Sequence, residues 1–265
     1  MRVASTLLVV SLVLAACSSS PTPDARTTPE KAPATLILPD GTEQQVMGFK
    51  QDGYLMLEDD IILADLSSAK VGEQGTYVVD TRYRWTGRTI PYTFAANVPQ
   101  AIRDRVAAAA STIRSTTNVI VTPRTTQSNY VEITYNTGTS CASSLGMVGG
   151  RQTLTLADRC TTGSIIHEFG HAMGLFHEQT RPDRDRYVKI IWANIPADWQ
   201  SQYQIRSGSA GYGAYDFDSI MHYPAFFDGK IAIQPLDSSV DLNRMGQRNG
   251  FSGTDVGNVN FMYPR

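Results

Sequence analysis

His167-Glu168-Phe169-Gly170-His171 sets two imidazoles four residues apart. On a helix that spacing puts both rings on one face, one turn apart, where they can reach a common metal ion. Glu168 directly follows the first of them, so its carboxylate can flank an open coordination position and take a proton from water there. Gly174 can end the helix, because glycine accepts the left-handed conformation of a C-terminal turn. The chain then turns back, and three residues later His177 supplies a third nitrogen. Three nitrogens and an open position describe catalytic zinc; a structural site would want a fourth protein ligand, typically cysteine, and none is near in sequence. Scattered core histidines would not place three of the chain's four at these spacings around one glutamate. His222, the fourth, is expected to have a neutral surface role outside the site.

The elements that must hold this cluster follow from periodicity. A helix is predicted over 164–173, ending at Gly174. Upstream, residues 89–94 read as a strand. A helix follows, with Asn97 as N-cap, Pro99 in the first turn, and Ile102, Val106, Ala109 or Ala110, and Ile113 on one apolar stripe. Residues 119–121, 130–135 and 152–156 read as strands, so strands and helices alternate. Beyond Gly174 mostly loops are expected until Ser252 caps a final helix through Val256, Val259 and Met262. Before residue 75, Asp-Gly turns at 40–41 and 52–53 separate short apolar runs, with strands at 54–57 and 61–63. This small β-rich segment ends in an exposed connection over 64–75, which puts a boundary near 75.

At 265 residues the chain fills one or two ordinary domains and has ample length to bury a core. Charged residues make up 18%, which excludes a disordered acidic chain or a highly charged coiled coil. With 23 basic against 25 acidic residues there is no basic excess to hold a phosphate backbone, so nucleic acid is not an expected partner. The apolar run over 3–16 is shorter than the roughly 20 residues that span a bilayer, and 1–16 reads as a signal peptide. Leu14-Ala15-Ala16-Cys17 resembles the lipobox of bacterial lipoproteins, which implies lipidation of Cys17; an ordinary signal peptide containing Cys17 is the alternative. The same resemblance implies the outer membrane, because Ser18 rather than Asp follows the cysteine. Residues 17–34, with four prolines and no large apolar side chain after Cys17, read as a tether.

The stretch from His167 to Glu178 resembles the extended zinc motif of the metzincins, and Glu178 after the third histidine is similar to the astacins. The likeness continues through Gln179-Thr180-Arg181-Pro182-Asp183-Arg184-Asp185-Arg186-Tyr187-Val188 and through Ser219-Ile220-Met221-His222-Tyr223, which resembles the astacin Met-turn. Trp85-Thr86-Gly87-Arg88-Thr89-Ile90-Pro91-Tyr92 resembles the start of the astacin domain and Gly246-Gln247-Arg248-Asn249-Gly250-Phe251-Ser252 its C-terminal part, so the likeness covers 76–265. It implies an α+β, two-lobed metzincin fold, with a mixed sheet and two long helices above the cleft and an irregular lobe below, preceded by a β-rich propeptide over 35–75. It also implies an endopeptidase for proteins or peptides, with one Zn²⁺ on His167, His171 and His177 and with Glu168 as the acid–base group. Met221 would floor the metal. Tyr223 would be a further ligand that swings away and donates to an oxyanion.

Leu57-Glu58-Asp59-Asp60-Ile61 resembles the astacin propeptide segment whose aspartate occupies the zinc and keeps the enzyme latent. The register picks Asp60. Family sequences usually carry Phe where Leu57 stands and Gly where Asp59 stands, so Asp59, or no more than an exposed acidic turn, stays open. A cut near 75 would free an amino terminus that pairs with Glu178. Cys141 and Cys160, the cysteines left after Cys17, are expected to be bridged in an exported chain, and similar cysteines flank the same β-segment in astacins. The expected state is a monomer at a bacterial outer membrane or cell surface, held through its N-terminal lipid or released after propeptide cleavage. The competing readings are a catalytically inactive binding or adhesion lipoprotein and a zinc-dependent cell-wall hydrolase.

Overall fold

The computed structural model describes residues 30–37, 43–65, 76–78, 84–206 and 213–265. The signal peptide, Cys17, most of the tether and the expected cut near 75 lie outside the described residues. Strand β1 (Lys31–Ile37) pairs antiparallel with β2 (Glu43–Gln51), β2 with β3 (Tyr54–Leu57) and β3 with β4 (Ile61–Asp65). β5 (Thr76–Val78) lies parallel to β1. Then come β6 (Thr89–Phe94), α1 (Gln100–Thr116), β7 (Ile120–Pro123), β8 (Tyr130–Tyr135), β9 (Ala142–Ser144), β10 (Arg151–Leu156) and α2 (Thr162–Met173).

Among the described residues the ten strands form one mixed sheet, in the order β5-β1-β2-β3-β4-β9-β10-β8-β6-β7. β4 runs parallel to β9, with Ile61 opposite Ser143 and Ile62 opposite Ser144. The β-rich N-terminal segment therefore continues the sheet of the rest of the chain. Phe49, Met56 and Ile62 pack with Ala142 across the joint, and Leu57, Ile61 and Leu63 pack with Leu145. Burying each of the larger of these side chains contributes about 1.5–3 kcal/mol. Lys31–Ala34 were expected in the tether, but they belong to β1. Backbone pairing to β2 and the burial of the small Ala34 side chain order them without any large apolar residue.

The main core lies between this sheet and the helices. In β8, Val131 and Ile133 are fully buried while the alternate residues are half-exposed, as a sheet with one face on a core requires. Ile102, Val106, Ala109, Ala110 and Ile113 of α1 form the predicted stripe, and they share a core with Ile165, Ile166, Phe169 and Ala172 of α2. The N-cap differs from expectation. Pro99 takes that position, its carbonyl accepting from Ile102 N and Arg103 N, because the Asn97 amide is used to donate to Tyr135 O at 3.2 Å.

Among the described residues after Gly174 the chain is mostly loops and single 3₁₀ turns, as predicted. Two short ladders interrupt it: β11 (Val188–Ile190) on β14 (Ile233–Pro235), and β12 (Phe226–Phe227) on β13 (Lys230–Ile231). Val188, Ile190, Tyr203, Tyr223 and Ile233 give this lobe its own core. The last helix, α3 (Gly253–Met262), starts with a reciprocal capping box of Ser252 and Asp255. The result is an α+β chain with a sheet-and-helix lobe and an irregular lobe, as the resemblance implies.

The lobes meet closely at Gly163, where a Cβ would lie 1.5 Å from the backbone oxygen of Arg248. Gly163→Ala should therefore lower stability by about 2 kcal/mol or more, although alanine is favoured over glycine by about 1 kcal/mol in a helix. Urea unfolding of both proteins checks this; an unchanged or higher midpoint would refute the packing.

Candidate metal centre

Helix α2 is fixed at both ends. The Thr161 side chain accepts from Ser164 N, so the helix begins two residues before the predicted start, and Gly174 closes it at φ 102°, donating to the carbonyls of Gly170 and His171. His167 and His171 lie one above the other on its inner face. The turn after Gly174 returns His177 to the same place. Every ring is oriented through Nδ1: His167 on Ile220 O at 2.7 Å, His171 on Leu175 O at 2.8 Å and His177 on Glu58 Oε2 at 2.8 Å. All three partners are acceptors, so each Nδ1 carries a proton and Nε2 is the nitrogen left to hold a metal.

The three Nε2 atoms face one point. His167 and His171 bring theirs within 3.1 Å of each other. The Asp60 carboxylate completes the group, with Oδ2 at 3.0 Å from His167 Nε2 and 3.2 Å from His177 Nε2, and Oδ1 at 3.3 Å from His171 Nε2. A cation among these nitrogens and the carboxylate would be held by all four residues at once. Tetrahedral zinc with bonds of about 2.0–2.1 Å needs ligand atoms about 3.3 Å apart; the separations just given are close to that, and one ligand atom from each of the four residues lies within 4.8 Å of the others. The residues fit one zinc ion. With Asp60 as fourth ligand the shell is closed; without it three histidines leave one position open.

Electrostatics agree with a cation site. Without a metal, burial disfavours the His177 imidazolium, but Asp60 and Glu58 outweigh burial and push its pKa up to about 9. Glu168 is buried beside the group, and its Oε2 has no hydrogen-bond partner among the described residues. Burial, then the Asp60 charge, push the Glu168 carboxyl well above its ordinary range, with Arg248 opposing. A proton carrier needs such an uncommitted oxygen.

The other expected residues fall as follows. The Met221 sulfur packs under α2, where a Cβ on Gly170 would come within 2.6 Å of it. The Tyr223 hydroxyl donates to Glu58 O at 2.5 Å. Glu178 is buried, accepts from Arg181 Nη1 at 3.0 Å and Asp216 N at 2.9 Å, and is pushed up to about 7 by burial. Of the two aspartates left open, Asp60 meets the histidines. Asp59 sits at φ 67°, where a glycine would be unstrained and an aspartate is tolerated better than most residues. Cys141 and Cys160 form a disulfide. His222 is not at the surface: it is fully buried between Tyr215 OH at 2.7 Å and Tyr223 O at 2.6 Å, because the chain folds the Met-turn inward.

Residues 77–264 match Astacin, a family of peptidases. This chain belongs to the astacin family. Zinc metalloproteinase nas-13 of Caenorhabditis elegans is 38% identical over 200 residues, covering 72% of this chain and 43% of that protein. Nematocyst expressed protein 6 of Nematostella vectensis is 32% identical over 229 residues, covering 80% of this chain and 78% of that protein. The chain thus spans less than half the length of nas-13. Among solved structures, high choriolytic enzyme 1, a hatching enzyme zinc-protease from Oryzias latipes, superposes with a TM-score of 0.61 at 31% identity, covering 68% of this chain and 92% of that one.

In this astacin, sequence reasoning assigned nothing to Glu58, Arg206, Arg248 or Asp255. Asp255 accepts from Ser219 Oγ and Ile220 N, and Arg248 donates to Ile220 O, the carbonyl that also holds His167. The contacts that tie these four residues to the site span 28 to 148 residues, and no local pattern reports such a distance.

Burial pushes the His222 pKa down to about 4, from an ordinary value near 6.5. The unfolded chain thus takes up this proton at higher pH than the folded one. Stability should fall from this source between about pH 6.5 and pH 4 and then level off. In urea unfolding of the metal-free chain, His222→Gln should lose less stability over that interval than wild type. Equal losses would show that His222 is not held neutral.

Proposed function

We propose that this chain is a zinc endopeptidase, exported and held to a membrane by lipid on Cys17, and kept latent by its own residues 35–75. The observation that carries the reading is the convergence of three oriented Nε2 atoms on one point, with an unpartnered Glu168 oxygen beside it and Asp60 as a removable fourth ligand. Zinc bound there supplies Lewis acidity toward a peptide carbonyl and toward water.

The chain's own residues do the rest. Glu168 takes a proton from the attacking water at its carboxylate and delivers it to the leaving amine, a role its buried, uncommitted Oε2 suits. Tyr223, once its hydroxyl leaves Glu58 O, has a donor free for the oxyanion of the tetrahedral intermediate. β4 covers one edge of β9; when β4 withdraws, that edge can pair with an extended substrate strand. After a cut near 75 the new amino terminus would compete for the buried Glu178 carboxylate, which Arg181 and Asp216 N now satisfy. The substrate is a protein or peptide, and the working form is a monomer at the bacterial outer membrane or cell surface, or one released from it.

Full-length wild type, Asp60→Ala and Asp60→Ala/Glu168→Ala are each to be incubated with a peptide library, and the cut sites read by mass spectrometry. The uncleaved Asp60→Ala chain should cut peptides, and the added Glu168→Ala should lower the rate about 10²- to 10⁴-fold. Cleavage undiminished by Glu168→Ala would refute the mechanism. Equal activity of uncleaved wild type and Asp60→Ala would refute latency. Metabolic labelling with a lipid precursor tests the anchor: wild type should take up label and Cys17→Ser should not.

A further inference from the structure

Glu58 lies two residues before Asp60, and its carboxylate is fully buried with two partners. Oε2 accepts from His177 Nδ1 at 2.8 Å, and Oε1 pairs with Arg206 Nε. Its backbone oxygen accepts from the Tyr223 hydroxyl. Arg206 is itself anchored, its backbone N donating to Thr180 O at 2.8 Å and its Nη2 to Ser201 O at 3.2 Å. Glu58 and Asp59 both hold the left-handed conformation, at φ 53° and 67°, a strained turn that sends the carboxylates at 58 and 60 into the same site. His167 and His171 are oriented by backbone carbonyls of the segment that carries α2 and the Met-turn, whereas His177 is oriented by this N-terminal side chain.

We propose that Glu58 is a positioning residue for the metal: it fixes the tautomer and raises the donor strength of His177, and Arg206 holds it in place. A carboxylate on the far nitrogen of a ligating imidazole strengthens the bond at the near one. The segment carrying Glu58 therefore retains the ion as well as closing its shell, and zinc leaves more slowly while Glu58 is seated. The inference rests on the reading that the three histidines and Asp60 hold one zinc.

The test uses the zinc-loaded full chain as wild type, Glu58→Gln, Glu58→Ala and Arg206→Met, each mixed with excess chromogenic chelator to follow zinc release. Glu58→Ala should release zinc about 10- to 100-fold faster than wild type. Glu58→Gln should fall between, since an amide oxygen still accepts from Nδ1–H, and Arg206→Met should also accelerate release. Cobalt-substituted wild type and Glu58→Gln should differ in their visible absorption bands, which loss of stability alone would not change. Release from Glu58→Ala within twofold of wild type would overturn the proposal. For a measurement that needs no variant, ¹⁵N-histidine NMR of the zinc-loaded wild type should show a slowly exchanging proton on His177 Nδ1; its absence would overturn the proposal as well. A chain that takes up no zinc would defeat the metal site itself, whereas one zinc released at an unchanged rate defeats only the role of Glu58.

Discussion

The convergence of three imidazole nitrogens and a carboxylate on one point inside the protein is the constraint around which this structure is arranged. With a proton of each ring held on Nδ1, one divalent cation can accept all three Nε2 lone pairs and the carboxylate at once. Helix α2 supplies two of the rings by its periodicity. The left-handed Gly174 supplies the reversal that returns the third, and β4 delivers Asp60 through its pairing with β9.

Much of the irregular lobe serves to hold the carbonyls and floor beneath those rings. Ile220 O accepts from both His167 and Arg248, and Ile220 N donates to Asp255, whose carboxylate also caps α3. The C-terminal helix is thus tied to the first metal ligand through one residue of the Met-turn. Close approach supports the same contact: Gly163 lets Arg248's backbone reach the start of α2, and Gly170 lets the Met221 sulfur sit against its middle. The buried His222, bonded to Tyr215 and Tyr223, stiffens the turn from the other side.

The parts governed by local periodicity were legible in the sequence. The α1 stripe, the pair on α2, the glycine that ends it and the Ser252 cap all depend on residues within a turn or two of one another. Asp60 was legible through family likeness. What was not legible depends on where distant strands land. β9 is three residues of Ala and Ser with no apolar signal, yet it joins the two parts of the sheet. Asn97 looks like a cap until β8 brings the Tyr135 carbonyl beside it. His222 looks like a surface residue because its partners are a tyrosine seven residues away and a neighbouring carbonyl, contacts made only by an inward-folded turn. Glu58 and Arg206 lie 148 residues apart; the propeptide likeness that includes Glu58 gives it no role, and no motif includes Arg206.

X-ray absorption spectroscopy at the zinc edge, on the uncleaved chain and on Asp60→Ala, tests the central claim most directly. The account predicts four-coordinate zinc with three imidazoles and one carboxylate in the uncleaved wild type, and three imidazoles with a solvent oxygen in Asp60→Ala. Fewer than three imidazoles in wild type, or a carboxylate retained in Asp60→Ala, would contradict it.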